Sequence, residues 1–135
     1  MDVLIDANVI INFITGRDDP FQKTSVQIID LCSKGRLNGY VAFHSLSDAE
    51  ARYWLGIVCE ILEIAVATRE QVMEAIAKAD FRDFEDCLQD KCAQNVGAEY
   101  LVTCNIRDFR CSQTRAVTPD EMLDILCAAT EQEEE

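Results

Sequence analysis

Val3-Leu4-Ile5-Asp6-Ala7-Asn8-Val9-Ile10 stands almost at the start of the chain. Three apolar residues make a run short enough for a buried strand, an acid closes it, and a short helix over Ala7 to Phe13 follows at once. Four more apolar runs extend the pattern: Gly39-Tyr40-Val41-Ala42-Phe43, Leu62-Glu63-Ile64-Ala65-Val66, Tyr100-Leu101-Val102-Thr103 and the weaker Ala116-Val117. Helical spacing fills the segments between them. Pro20 to Ser33 brings Val26, Ile29 and Leu31 toward one face and stops at Gly35. Further helices are expected from Ser45 to about Val58, from Arg69 to Lys78 behind a Thr68 cap, and from Asp83 to Val96 ahead of Gly97. Thr118-Pro119-Asp120-Glu121 opens the last, with a capping threonine, a proline at the first helical position and two early acids. Strands alternating with helices predict an α/β fold, a three-layer α/β/α sandwich on a mainly parallel sheet of four or five strands.

The chain has 135 residues, which suits one compact domain, and 49% of them are hydrophobic, enough for a core without staples. Residues 1–129 are expected to form that domain, and 130–135 an acidic, disordered tail that supplies four of the thirteen excess negative charges. A net charge of −13 argues against a protein that grips nucleic acid through a broad basic face. It leaves room for nucleic-acid chemistry through a few contacts and a bound metal. No run approaches the roughly 18 apolar residues that span a bilayer, and Asp2 and Asp6 stand where a signal peptide wants basic residues. The seven cysteines are odd in number and lack disulfide or CxxC spacing. They read as reduced thiols that replace alanine in the core of a cytoplasmic protein.

In an open parallel sheet, ligands bind beyond the carboxyl ends of the strands. The residues closing each strand therefore matter most. Asp6 ends the first strand, Asp48 lies five residues past Phe43, Asp83, Glu85 and Asp86 crowd a helix start, and Asp108 follows the fourth strand. Two carboxylates 4 Å apart repel by about 4 kcal/mol at an effective dielectric of 20. Four together call for a cation or strongly raised pKa values. Oxygen ligands alone suit Mg²⁺ or Mn²⁺ rather than Zn²⁺.

Each acid also has a plainer account. Asp6 can cap the following helix, Asp86 can favour a helix dipole, and Asp108 can be a turn residue before a buried Phe109. Asp83, Asp86 and Asp90 share one helix face, so one can be catalytic and the others merely solvated. Ser45-Leu46-Ser47-Asp48 reads as a capping box, and Glu50 competes with Asp48 for the fourth acidic position. Residues two apart on a helix point about 200° away from each other, so only one of the pair faces the site. Asp48 is preferred. His44 reads as a hydrogen-bonded strand-end residue.

Three segments together resemble the PIN domain family: the opening run from Val3 to Ile10, Asp83-Phe84-Glu85-Asp86-Cys87-Leu88-Gln89, and Thr103-Cys104-Asn105-Ile106-Arg107-Asp108-Phe109. Each alone is weak, but all three occur in order and in the right structural slots. The resemblance covers residues 1 to about 126 and is closest to the small stand-alone bacterial toxins of the VapC type. It implies a ribonuclease that uses one or two Mg²⁺ or Mn²⁺ ions to activate water and steady the phosphodiester. By motif position, Asp6, Asp86 and Asp108 would be metal ligands, with Asp48 as the fourth catalytic acid. Asn8, Thr103 and Asn105 would orient those carboxylates or the water between them. RNA as substrate, a cognate antitoxin and a homodimer are implied with it, and no membrane.

Two departures stand out. Gly56-Ile57-Val58-Cys59-Glu60 leads almost directly into the third strand, where the stand-alone toxins carry a longer helical stretch. Cys104 occupies a position where the family often has arginine, a phosphate contact. Both lean toward an alternative, a PIN-fold binding module for protein or RNA with a weak or inactive nuclease site. Lys23, Lys34, Arg36, Arg52, Arg69, Arg107, Arg110 and Arg115 are the cations available for a local basic rim. A phospho-acceptor receiver domain is excluded, since it needs paired acids after strand one and a lysine after strand five.

Overall fold

The computed structural model describes residues 1–42, 52–78 and 83–134, the side chains of 52–55 excepted. Five strands form one sheet: β1 (Asp2–Ile5), β2 (Asn38–Ala42), β3 (Glu63–Ala65), β4 (Tyr100–Val102) and β5 (Arg115–Val117). Their order is β3-β2-β1-β4-β5, and every neighbouring pair is parallel. The helices are α1 (Ala7–Thr15), α2 (Gln22–Ser33), α3 (Arg52–Ile61), α4 (Arg69–Ala77), α5 (Phe84–Asn95) and α6 (Pro119–Glu133), with a short 3-10 helix at Ile106–Phe109.

Alternation along β1 divides the core in two. Successive side chains of a strand point to opposite faces. Val3 and Ile5 therefore join Val9 and Ile10 of α1, Ile28 and Ile29 of α2, Val58 of α3 and Met122 of α6 on one side of the sheet. Leu4 points the other way and packs with Ala75 of α4, Cys87, Cys92 and Ala93 of α5, and Phe109. The result is the three-layer sandwich, with β1 at its centre.

Local rules set the helix ends. Thr68 and Gln71 form a reciprocal capping box on α4, and Thr118 and Glu121 form another on α6 behind Pro119. Gly16, Gly35 and Gly97 take positive φ values of 58°, 73° and 65° where α1, α2 and α5 must stop. At the acidic end of the chain α6 continues to Glu133, and residues 130–133 lie in it with exposed side chains. The hydroxyl of Thr130 donates to the carbonyl of Leu126, and glutamate is a good helix former. The helix expected from Ser45 is described only from Arg52 onward. His44, Asp48 and Glu50 lie outside the described residues.

Gly39 of β2 lies close against Leu62, just past α3, and Cys32 of α2. A Cβ there would come within 2.5 Å of Leu62 Cδ2 and 2.7 Å of Cys32 Sγ, and both neighbours are themselves buried. Gly39→Ala should therefore destabilise the fold by about 1–3 kcal/mol. Urea denaturation measures this directly, and an unchanged midpoint would show that the layer gives way at no cost.

Candidate active site

All five strands end at the same edge, and the direction of strand order reverses between β1 and β4. That reversal opens a crevice where ligands of such sheets bind. Asp6 closes β1 on one side of it and Thr103 follows β4 on the other.

Asp6 is 6% exposed, and its carboxylate is held from three elements. Its Oδ1 accepts from the backbone N–H of Ala7 at 2.8 Å and from Nε2 of Gln89 at 2.5 Å, and its Oδ2 accepts from the hydroxyl of Thr103 at 2.8 Å. The first bond caps α1, as a strand-end acid can. The other two do nothing for the cap. They fix the carboxylate between α5 and the end of β4. Thr103 is itself fully buried and accepts from the backbone N–H of Asn105 at 3.0 Å, so its hydroxyl proton is directed at Asp6.

Asp86 stands in the first turn of α5, three residues after its cap Asp83. Burial, and then the charges of Asp83, Asp6, Asp108 and Glu85, push its pKa up to about 7. Acids from β1, from α5 and from the 3-10 helix thus bear on one half-buried carboxyl group. Asp83 takes the structural part: it is exposed, and its Oδ1 accepts from the N–H of Glu85 at 2.8 Å. Asp108 is half-buried, on the 3-10 helix that Asn105 opens.

Among the described residues, the bonds of Asn8 and Asn105 run to the loop after β4. Asn8 Oδ1 accepts from the N–H of Cys104 at 3.2 Å and so ties α1 to the loop that carries Asp108. The Asn105 side chain is exposed and makes no capping bond; its N–H steadies Thr103. Cys104 faces inward, where its Sγ accepts from Nδ2 of Asn12 at 3.5 Å. That asparagine is fully buried and also donates to Asp19 and Ser25 and accepts from Arg17. Burial pushes the thiols of Cys32, Cys92 and Cys104 up to about 12, 11 and 11, which leaves them poor nucleophiles and poor metal ligands at neutral pH. No two of the seven cysteines form a disulfide.

Asp90 differs from its expected solvated role. It is 1% exposed and accepts from the N–H groups of Gln113 and Thr114, each at 3.1 Å, and from Gln94 Nε2 at 3.0 Å. It anchors the segment before β5 to α5. Gln89, equally buried, was not singled out by sequence beyond its place in the acidic segment; three residues past Asp86, it shares that residue's helix face.

The basic rim is smaller than the sequence suggests. Lys34 and Arg36 precede β2 and Arg115 opens β5, at the edge opposite the acids. Lys34 pairs with Asp30 at 2.7 Å, and Arg115 lies 5.8 Å over the Tyr100 ring. Arg107 and Arg110 flank Asp108 at the acidic edge, and both are exposed. A groove of about 720 Å³ between α2 and α6 is lined by neither Asp6, Asp86 nor Asp108 and is not the site.

The donor set fits a hard divalent cation, being all oxygen, with like charges that disfavour one another without one. Among the described residues, no three His, Cys, Asp or Glu side chains are grouped as a ready-made metal site. The fit therefore rests on donor chemistry and mutual repulsion rather than on an assembled cage.

Residues 2–107 match a PIN domain family. A solved structure of VapBC2 from Rickettsia felis, bound to a DNA fragment from their promoter, has a chain that superposes with a TM-score of 0.62 at 18% identity. The match covers 87% of this chain and 98% of that one, and at this identity it supports the fold. No curated protein matches the sequence.

Proposed function

The chain belongs to the PIN domain family, and on that premise we propose that it is a Mg²⁺- or Mn²⁺-dependent endoribonuclease, the toxin half of a toxin–antitoxin pair. One observation carries the reading: Asp6 is locked by three donors at the sheet's switch point, and the charges of both Asp6 and Asp108 reach Asp86. In this reading Asp6, Asp86 and Asp108 hold one or two cations, with Asp48 as a fourth acid. The cations would lower the pKa of a bound water and neutralise charge on the phosphodiester. Thr103 and Gln89 hold Asp6 in one orientation, while Asn8 holds the loop bearing Asp108.

A chain of net charge −13 repels RNA at long range. Contact would thus depend on the cations and on Arg107 and Arg110 beside Asp108, and weak, salt-sensitive binding is the consequence. A homodimer and a cognate antitoxin complete the reading. Ile64 and Val66 at the edge strand β3, Met73 and Ile76 on α4, and Phe84 are exposed apolar side chains that such partners would cover. Among the described residues, no helix is long and apolar enough to cross a membrane.

Cleavage of end-labelled single-stranded RNA in Mn²⁺ is the test. Asp6→Asn and Asp86→Asn should each lower the rate by at least about a hundredfold, as expected when a group stabilising transition-state charge is removed. Equal cleavage by wild type and both variants would remove these acids from the chemistry. Absent cleavage with retained RNA or protein binding would favour the binding-module reading.

A further inference from the structure

Gln89 carries a feature that packing alone does not explain. It is 4% exposed, and its Nε2 donates to Asp6 Oδ1. Its other amide atom, Oε1, is buried and accepts no hydrogen bond from any described residue. Turning the amide over offers no escape, because Oε1 would then face the Asp6 carboxylate, acceptor against acceptor. Burying an amide oxygen without a donor costs stability, and an apolar side chain of the same length would avoid that cost. Gln89 also sits one helical turn beyond Asp86, on the same face of α5. Leu88 and Lys91, its neighbours around the helix, have ordinary roles: the first packs in the core and the second pairs with Glu74 at 2.9 Å.

Building on the metal-site reading above, we propose that Gln89 is a positioning residue of this site, fixing Asp6 through its amide N–H and offering its amide oxygen to the divalent cation or to water on that cation. A neutral oxygen adds a ligand or a water acceptor without adding to the negative charge that already crowds Asp86. The unfavourable acceptor in the metal-free protein is then the counterpart of a favourable one when metal is bound.

Titration calorimetry with Mn²⁺ alone, paired with thermal melting of the metal-free protein, tests this on wild type, Gln89→Met, Gln89→Glu and Asp6→Asn. Gln89→Met keeps the length and removes both amide atoms. It should weaken Mn²⁺ binding about 10–100-fold, the usual effect of removing a partner of a ligand, while the metal-free melting temperature holds or rises. Gln89→Glu keeps an oxygen but sets a second acid against Asp6. It should lower the metal-free melting temperature and recover at least part of it on adding Mn²⁺. Wild-type affinity in Gln89→Met, with binding lost in Asp6→Asn, would overturn the Gln89 role and leave the metal site standing. A lowered melting temperature in Gln89→Met with unchanged affinity would make the residue structural. Absence of Mn²⁺ binding by the wild type would overturn both readings.

Discussion

Asp90→Ala is expected to lower the free energy of unfolding by about 3–5 kcal/mol, a large part of the stability of a domain this size. The Asp90 carboxylate is 1% exposed and serves three donors: the N–H groups of Gln113 and Thr114 and the side-chain amide of Gln94. Hydrogen bonds to a charged group contribute about 1.5–3 kcal/mol each, and a buried N–H left without its acceptor adds a desolvation penalty. Thr114 is itself buried, so water does not readily replace the lost oxygen there. Asp90→Asn keeps one acceptor oxygen and should cost less than Asp90→Ala. Urea denaturation of the three proteins gives the comparison, and a loss below about 1 kcal/mol for the alanine variant would show that the anchor is dispensable. The same bonds connect α5, which bears Asp86, to the segment just after the 3-10 helix, which bears Asp108. The proposed nuclease activity should therefore fall with Asp90→Ala even under conditions where the variant is folded, because the spacing of the two candidate site acids is loosened.

Asp90 also shows where sequence reading reaches its limit. Features governed by neighbours a few residues away were legible. Val3-Leu4-Ile5 forms β1, Thr118 and Glu121 close a capping box around Pro119, and Gly16, Gly35 and Gly97 take the left-handed conformation at helix ends. Asp6 was legible as a strand-end acid for the same reason. The role of Asp90 was not, because its backbone donors lie 23 and 24 residues further along the chain. On helical periodicity it shares a face with Asp83 and Asp86, and nothing local separates an exposed cap from a half-buried site acid or a buried anchor. The Gln89 contact with Asp6 spans 83 positions and exists only once β1 and α5 are packed. Charge was misjudged on similar grounds. Counting cations gave a rim of eight, whereas strand direction assigns Lys34, Arg36 and Arg115 to the far edge. At the end of α6, a capped helix already running through Met122 and Leu126 carries its register into the glutamates, which composition alone does not show.

Asp86→Asn should make the metal-free protein more stable at pH 8 while removing the proposed nuclease activity. The pKa of Asp86 is raised to about 7 by burial and by the charges of Asp83, Asp6, Asp108 and Glu85. An unfolded aspartate titrates near 3.8. Between these values the folded chain holds a proton that the unfolded chain has released. Stability on account of this group therefore falls as pH rises from about 4 to about 7, and is flat above that. The neutral asparagine removes the penalty. Because the side chain is only half-buried, solvent screening reduces the expected gain at pH 8 to on the order of 1–2 kcal/mol, and it should vanish near pH 4. Bound metal reverses the relation, since cation and proton compete for the same carboxylate. Mn²⁺ affinity should weaken as pH drops below about 7 in the wild type. Denaturation of both proteins at pH 4, 6 and 8, without metal and with Mn²⁺, separates these effects. The wild type should gain the larger increment from Mn²⁺, and the variant should lead only in its absence. If Asp86→Asn were the less stable protein at pH 8 without metal, the convergence of acids on Asp86 would not be the repulsive cluster described, and the case for a cation there would lose its physical basis.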